Sequence, residues 1–431
     1  MRLAIFNSSG IVVPSDPIYG PLSGKFSSNL KVLEDALLII KGKKIENIVP
    51  ESKINALRRD GGLKEIDAHG GIVLPGFIDS HTHIAFAGSR ENEFYMKAEG
   101  KTYSEIQASG GGIYRTFSDV GITGFEGIMA QTLMRIAHGI MTGTTSFEIK
   151  TGYGSDDADE MKLLQVAEKI GNLGIANIRK TFLGLHVVPS GMSENEYAEH
   201  ICKNLLPRIA DRVDFTDIFC DRGAFGLESL AMIAEASSLH SIPLRVHANE
   251  IEDIGCVQAL KGRRIASADH LLHVDDGDLD VLKSTGGIAT LLPSTAFSMS
   301  PDSMPDFTRF SSKDIPVALA SDCSPSTYTT NLFTELYLAV RFCRMPVQAA
   351  LNGITVNAAF SLGLESQTGW IEPGKLADVN VLDVDDYRKL PYQHDFVRVR
   401  HLLKSGRLLI KDFAPEERLM RALNGEWAKF N

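Results

Sequence analysis

From residue 71 onward the chain repeats one rhythm: a short apolar run, a polar turn, then an amphipathic stretch with helical spacing. Runs at 71–77, 144–149, 178–185, 213–219, 243–246, 264–268, 287–292 and 316–320 are the strand candidates. Helical stretches are expected at 125–138, 157–170, 194–210, 227–239, 251–260 and 277–284, with 331–342 and 347–359 after the last strand. Strands that alternate with helices pair in parallel, because a crossover helix is what joins parallel neighbours. Eight such units over roughly 290 residues suit a (β/α)8 TIM barrel, which usually spans about 250 residues plus insertions.

The two ends of the chain read differently. Residues 31–50 give two short strands around a turn at 41–44, with Gly42 available for a positive φ. Near the other end, GKLADVNVLDVD and VRVRHLLKSGRLLIKD read as strands, the last two joined through Ser405 and Gly406. The expected class is therefore α/β: a barrel over 74–362, with 1–73 and 363–431 together building one smaller, β-sandwich-like domain. A chain of 431 residues is long for one compact unit, and this division accommodates it.

Several classes of function are excluded by charge and pattern. The formal net charge is -10, and no Lys/Arg cluster has aromatic residues interleaved with it, so no nucleic-acid partner is expected. No apolar run approaches about 18 residues and the N-terminus lacks the layout of a secretion signal, which points away from a membrane and toward the cytoplasm. The five cysteines, at 202, 220, 256, 323 and 343, show no CxxC and no regular spacing, so reduced thiols are expected rather than a disulfide framework.

Barrel enzymes build their sites from the C-terminal ends of the strands. Here those ends carry His81 and His83, Lys150 and Tyr153, His186, Cys220 and Asp221, His247 and Glu250, Asp269 and His270, Thr295, and Asp322. His81 and His83 alternate, so in extended backbone they project to one side, where two imidazoles can share a metal ion. Four histidine-bearing ends in a chain with twelve histidines mark this rim as chemical. The glycine-rich run SGGGIYRTF at 109–117 lacks the Walker pattern and reads as a loop near the barrel mouth.

HTH after the first strand, His247 after the fifth, His270 after the sixth and Ser321 and Asp322 after the eighth resemble the amidohydrolase superfamily. A closer resemblance, to its imidazolone-opening enzymes, rests on PGFIDSHTHIAFAGSRENEF, GGGI at 110–113, TTSFEIKTGYG, SADHL and YRKLPY. It implies hydrolysis of 4-imidazolone-5-propanoate to N-formimidoyl-L-glutamate, a step of histidine breakdown, by a homodimer. The implied metal ligands are His81, His83, His247 and Asp322. Three imidazole nitrogens and one carboxylate oxygen suit a divalent or trivalent zinc or iron ion, whereas calcium and magnesium prefer oxygen.

A second metal in this superfamily takes a carboxylated lysine after the fourth strand. This chain reads IFCDRG there, and Lys150 follows the second strand, so one ion per subunit is expected. By the same resemblance Asp322, His270 and Glu250 carry the catalysis. Arg90 meets the substrate's carboxylate side chain, and Tyr103, Tyr153 and His186 line the pocket. Where the family commonly reads DxNPGS, this chain has Asp322, Cys323, Ser324, Pro325, Ser326 and Thr327. Ser324 and Ser326 thus replace an asparagine and a glycine, while Thr327 keeps a hydroxyl for the substrate. A nucleobase deaminase on the same barrel is the rival reading, but a nucleobase has no carboxylate for Arg90 to pair with.

Overall fold

The apolar run at 71–77 is not one strand, because it breaks at Gly76. A Cβ at that position would lie 2.3 Å from the Thr145 hydroxyl oxygen, so only glycine lets the backbone pass. The Gly76 N–H donates to Asp378 O and the next N–H, Phe77, donates to Gly143 O, so adjacent residues bond to different sheets. The sequence reading is corrected accordingly. Ile72–Pro75 joins the small domain, antiparallel to Val379–Leu382 and parallel to Gly10–Val13, and Phe77–Asp79 alone opens the barrel.

The computed structural model describes residues 2–59, 62–101, 105, 110–299 and 304–425. Its central sheet has eight parallel strands: β1 (Phe77–Asp79), β2 (Thr144–Lys150), β3 (Asn177–Leu185), β4 (Phe215–Cys220), β5 (Arg245–Ala248), β6 (Ser267–His270), β7 (Ile288–Leu291) and β8 (Val317–Leu319). They lie side by side in sequence order. The ring closes just beyond the strands, where Thr82 bridges Cys323, the His83 N–H donates to Cys323 O and the Asp322 N–H donates to His81 O. The number of barrel strands is the eight expected, the first displaced to Phe77–Asp79, and closure falls on residues expected to bind metal.

Most expected helices form, and local chemistry shows why. Asp156 and Asp275 cap Asp157–Leu173 and Asp276–Thr285 by accepting backbone N–H bonds. Two expectations are corrected. The helix at 251–260 shrinks to Cys256–Ala259, because the N–H groups of Glu250, Ile251 and Glu252 donate to the Asp221 carboxylate instead of continuing a helix. The stretch at 347–359 forms two helices, Val347–Gly353 and Val356–Ser361. Cys220 and Cys256 form a disulfide, against the expectation of reduced thiols, while Cys202, Cys323 and Cys343 are free. The bond joins the end of β4 to the first residue of the helix Cys256–Ala259, 36 residues further along the chain.

The small domain stacks a four-stranded sheet on a seven-stranded one, and the latter is woven from both chain ends. Ile5, Leu38, Ile40, Val73, Val379 and Leu403 are buried in its core. Its turns need left-handed backbone at Gly42 (φ 61°) and at Ser405 and Gly406 (φ 49° and 72°), as two-residue hairpin loops do. Among the described residues no helix is long and apolar enough to cross a membrane.

Candidate metal centre

His81 and His83 leave the end of β1 buried, as expected from their alternation, and His247 reaches them from β5. The ring orientations are fixed from behind. His81 Nδ1 donates to Asp269 Oδ2 at 2.8 Å and His247 Nδ1 donates to Asp217 Oδ1 at 3.1 Å. Each bond places the proton on Nδ1 and leaves the Nε2 lone pair facing inward, the arrangement typical of ligating histidines. His83 Nε2 lies 3.0 Å from His247 Nε2, and Asp322 Oδ1 is 3.5 Å from both His81 Nε2 and His83 Nε2.

These residues fit a metal ion. The donor atoms of His81, His83 and His247 lie within 4.8 Å of one another, as do those of His81, His270 and Asp322. His81 Nε2 and Asp322 Oδ1 are buried without a hydrogen-bond partner, a costly state that a cation relieves. Burial, reinforced by neighbouring positive groups, holds His81, His83 and His247 well below the usual histidine range, and neutral imidazole is the form that ligates.

Asp322 is presented by deliberate backbone geometry. Its φ of 50° is left-handed, and the Asp79 carboxylate fixes the preceding residue by accepting from the Ser321 N–H (2.9 Å) and hydroxyl (2.6 Å). Thr295 donates to Asp322 Oδ2 at 2.7 Å, which reserves Oδ1 for the centre. Burial pushes the Asp322 carboxyl up to about 7, while the Thr295 bond works against that shift. Thr327, which the sequence assigns to substrate, is 3.0 Å from Thr295 in the same hydroxyl chain. Ser324 and Ser326 contact each other at 3.1 Å, and Ser324 accepts from the Thr327 N–H.

Beneath the histidines lies a sealed ionic layer, of which the sequence reading singled out Lys150 and Asp269 at strand ends but not Glu148, Asp217 or Arg245. Glu148, Asp217 and Asp269 face Lys150 and Arg245, and all five are fully buried. Lys150 Nζ is 2.6 Å from Asp217, 3.0 Å from Glu148 and 3.9 Å from Asp269, so its ammonium serves three carboxylates. Arg245 Nε is 2.9 Å from Glu148, and its Nη atoms donate to Ser80 O and Ser361 O. Three anions against two cations leave one negative charge below the imidazoles, which complements a cation above them. The available signal was alternation: Asp217 lies between Phe215 and Phe219 on one face of β4.

His270, at φ 75°, brings its Nε2 to 3.5 Å from Glu250 Oε2, and burial lowers it to about 4. Burial, then the charges of Asp322 and Asp221, raises Glu250 well above the usual carboxylate range. His186 stacks on His83 with ring centroids 4.9 Å apart and donates from Nδ1 to Gly152 O; Tyr153 lies 5.2 Å from His186. Arg90 is close enough for its charge to act on both Tyr153 and His186. Its Nε and Nη2 donate to Glu93, which also accepts from the Gly112 N–H, so the glycine run is tied to the arginine. Tyr103 lies outside the described residues.

Fold and site together define a (β/α)8 barrel whose mouth carries a histidine cluster that could hold a metal ion, and comparison with known proteins makes it a hydrolase. A model of the amidohydrolase family matches residues 72–409. The imidazolonepropionase of Thermoplasma volcanium is 40% identical over 94% of this chain and 98% of its own length. That of Picrophilus torridus is 40% identical over 89% and 95%, and that of Brevibacillus brevis 33% identical over 91% and 94%. The chain belongs to the amidohydrolase family and, within it, to the imidazolonepropionases. Among solved structures, an adenosine deaminase from Xanthomonas campestris with bound zinc superimposes with a TM-score of 0.70 at 14% identity, covering 99% of this chain and 97% of its own. Guanine deaminase from E. coli gives 0.68 at 17%, covering 95% and 99%. These likenesses describe the shared fold.

Proposed function

We propose that this chain hydrolyses 4-imidazolone-5-propanoate to N-formimidoyl-L-glutamate with one zinc or iron ion per subunit held by His81, His83, His247 and Asp322. The observation that carries the reading is the pair of buried, partnerless ligand atoms, His81 Nε2 and Asp322 Oδ1, in a chain 40% identical over nearly its whole length to imidazolonepropionases. When bound, such an ion lowers the pKa of water toward neutrality and polarises a carbonyl, which opening an unreactive cyclic amide requires.

The chain's own groups supply the rest. Arg90 pairs with the propionate and sets the ring's position, with Tyr103, Tyr153 and His186 along its sides and Ser324, Ser326 and Thr327 at its rim. His270 donates to the ring carbonyl oxygen as negative charge grows on it. Asp322, oriented by Thr295, takes a proton from the attacking water and returns it to the ring nitrogen as the C–N bond breaks. Glu250, beside His270, contacts the ring and shares the proton traffic. The reading carries with it a homodimer in the cytoplasm, which light scattering on the purified protein tests for its oligomeric part. The activity is tested by mass detection of N-formimidoyl-L-glutamate from freshly prepared substrate. Ammonia release from adenosine or guanine, with no ring opening of the imidazolone, would replace this reading with a deaminase.

A further inference from the structure

The chemistry described so far occupies the C-terminal ends of the strands. At the other end of the barrel a cavity of about 750 Å3 opens where the start of β3 and the end of helix Asp157–Leu173 meet the small domain. Residue 43 of one hairpin, residues 404–407 of another and Arg418 of the helix Glu417–Leu423 complete its wall. With Leu364 and Gln367 it thus touches five separate stretches of chain.

Six cations line this cavity, Lys43, Arg179, Lys180, Lys404, Arg407 and Arg418, against a single carboxylate, Glu168. That carboxylate is already taken by Arg212, at 2.9 and 2.8 Å. Arg179 is paired with Asp214 at 3.1 Å, Lys404 with Asp378 at 3.0 Å, and Arg418 donates to Leu173 O. Lys43, Lys180 and Arg407 form no ion pair among the described residues. Crowding is felt within the cluster: burial, and then the charge of Arg407, hold Arg418 below the usual arginine range. In a chain of net charge -10 this concentration of unmatched positive charge runs against the average.

The lining also says what shape of anion fits. Among the described residues no aromatic side chain faces the cavity, and its apolar side chains are limited to Ala167, Ala176, Ile178 and Leu364, so they offer no platform on which a base or ring could stack. The volume lies within the range of small-molecule sites, about 300–1,000 Å3. We propose that this cavity binds a small, multiply charged anion of the phosphate class, of which inorganic pyrophosphate is the simplest probe, through Lys43, Lys180 and Arg407. Because those three side chains come from the first β segment, the barrel and the last β segment, the bound anion fastens the small domain to the barrel floor.

The experiment is calorimetric titration of the metal-loaded protein with inorganic pyrophosphate at fixed ionic strength, with thermal unfolding in parallel. Wild type is compared with Lys180→Gln/Arg407→Gln and Lys180→Glu/Arg407→Glu. The proposal expects one saturable site per chain, affinity about a hundredfold lower in the neutral pair and abolished in the reversed pair. It also expects a pyrophosphate-dependent rise in Tm in wild type alone, with hydrolysis of the imidazolone the same in all three proteins. No saturable binding up to about 10 mM would overturn it. Equal binding by wild type and both variants would overturn it too, since that places the anion elsewhere, as at the histidine cluster.

Discussion

Replacing Lys150 by methionine keeps the length and volume of the side chain and deletes its charge. The ammonium is fully buried, within 2.6 to 3.9 Å of Asp217, Glu148 and Asp269, and its loss leaves three carboxylates facing Arg245 alone. Deleting one member of a buried ion pair costs ~3–5 kcal/mol, because the partner's charge stays buried and uncompensated. Three carboxylates on one ammonium place Lys150→Met toward the upper part of that range. Asp217 also orients His247, so metal affinity falls, by about 10–100-fold as for other groups supporting a ligand. The assay is guanidinium unfolding of wild type, Lys150→Met and Lys150→Arg, each saturated with metal, together with metal content per subunit. The account predicts a loss of ~3–5 kcal/mol, a smaller loss for arginine, and one ion per subunit throughout. Unchanged stability, or two ions in wild type falling to one in the methionine variant, would refute it by making Lys150 a metal ligand.

Asp221→Ala removes the acceptor for the N–H groups of Glu250, Ile251 and Glu252, so kcat falls about tenfold and stability by ~1–3 kcal/mol while metal content is unchanged; steady-state kinetics and elemental analysis check this. Cys256→Ser opens a covalent loop of 36 residues and lowers unfolding free energy by ~3–4 kcal/mol, and thiol counting on unfolded wild type gives three free thiols before reduction and five after. Burial raises the Glu335 carboxyl to about 8, so the folded state holds a proton that the unfolded chain, near its ordinary 4.5, has released. Its stabilisation is complete below the unfolded value and is lost as pH rises toward 8, with a slope of at most ~1.4 kcal/mol per pH unit; Glu335→Gln flattens that contribution in unfolding measured against pH.

The barrel was legible because strand-like runs followed by amphipathic helical stretches recur eight times along the chain, a rhythm that does not require every run to be apolar. The HTH pair was legible for a related reason, since alternation along a strand is a local property. What could not be read depends on contacts between distant residues. The break at Gly76 is set by Thr145, whose hydroxyl occupies the place of a side chain. The expected helix at 251–260 is mostly displaced by a carboxylate at 221, and no propensity within the segment reports an acceptor arriving from another strand. Glu148, Asp217 and Asp269 look like ordinary polar residues until the ring closes and places them under His81 and His247. The Cys220–Cys256 bond has no sequence motif, because it depends on the helix Cys256–Ala259 folding back onto the end of β4.

The central claim is that one ion, held by His81, His83, His247 and Asp322, is what makes this chain a hydrolase. It is tested most directly by stripping the protein of metal and adding zinc or iron(II) back in steps while following hydrolysis of 4-imidazolone-5-propanoate, in wild type and in Asp322→Ala. The account predicts no turnover in the stripped protein, activity rising in proportion to metal and levelling at one equivalent per subunit, and none at any metal level in the variant. Full activity without metal, or an Asp322→Ala protein that recovers it, would contradict the account.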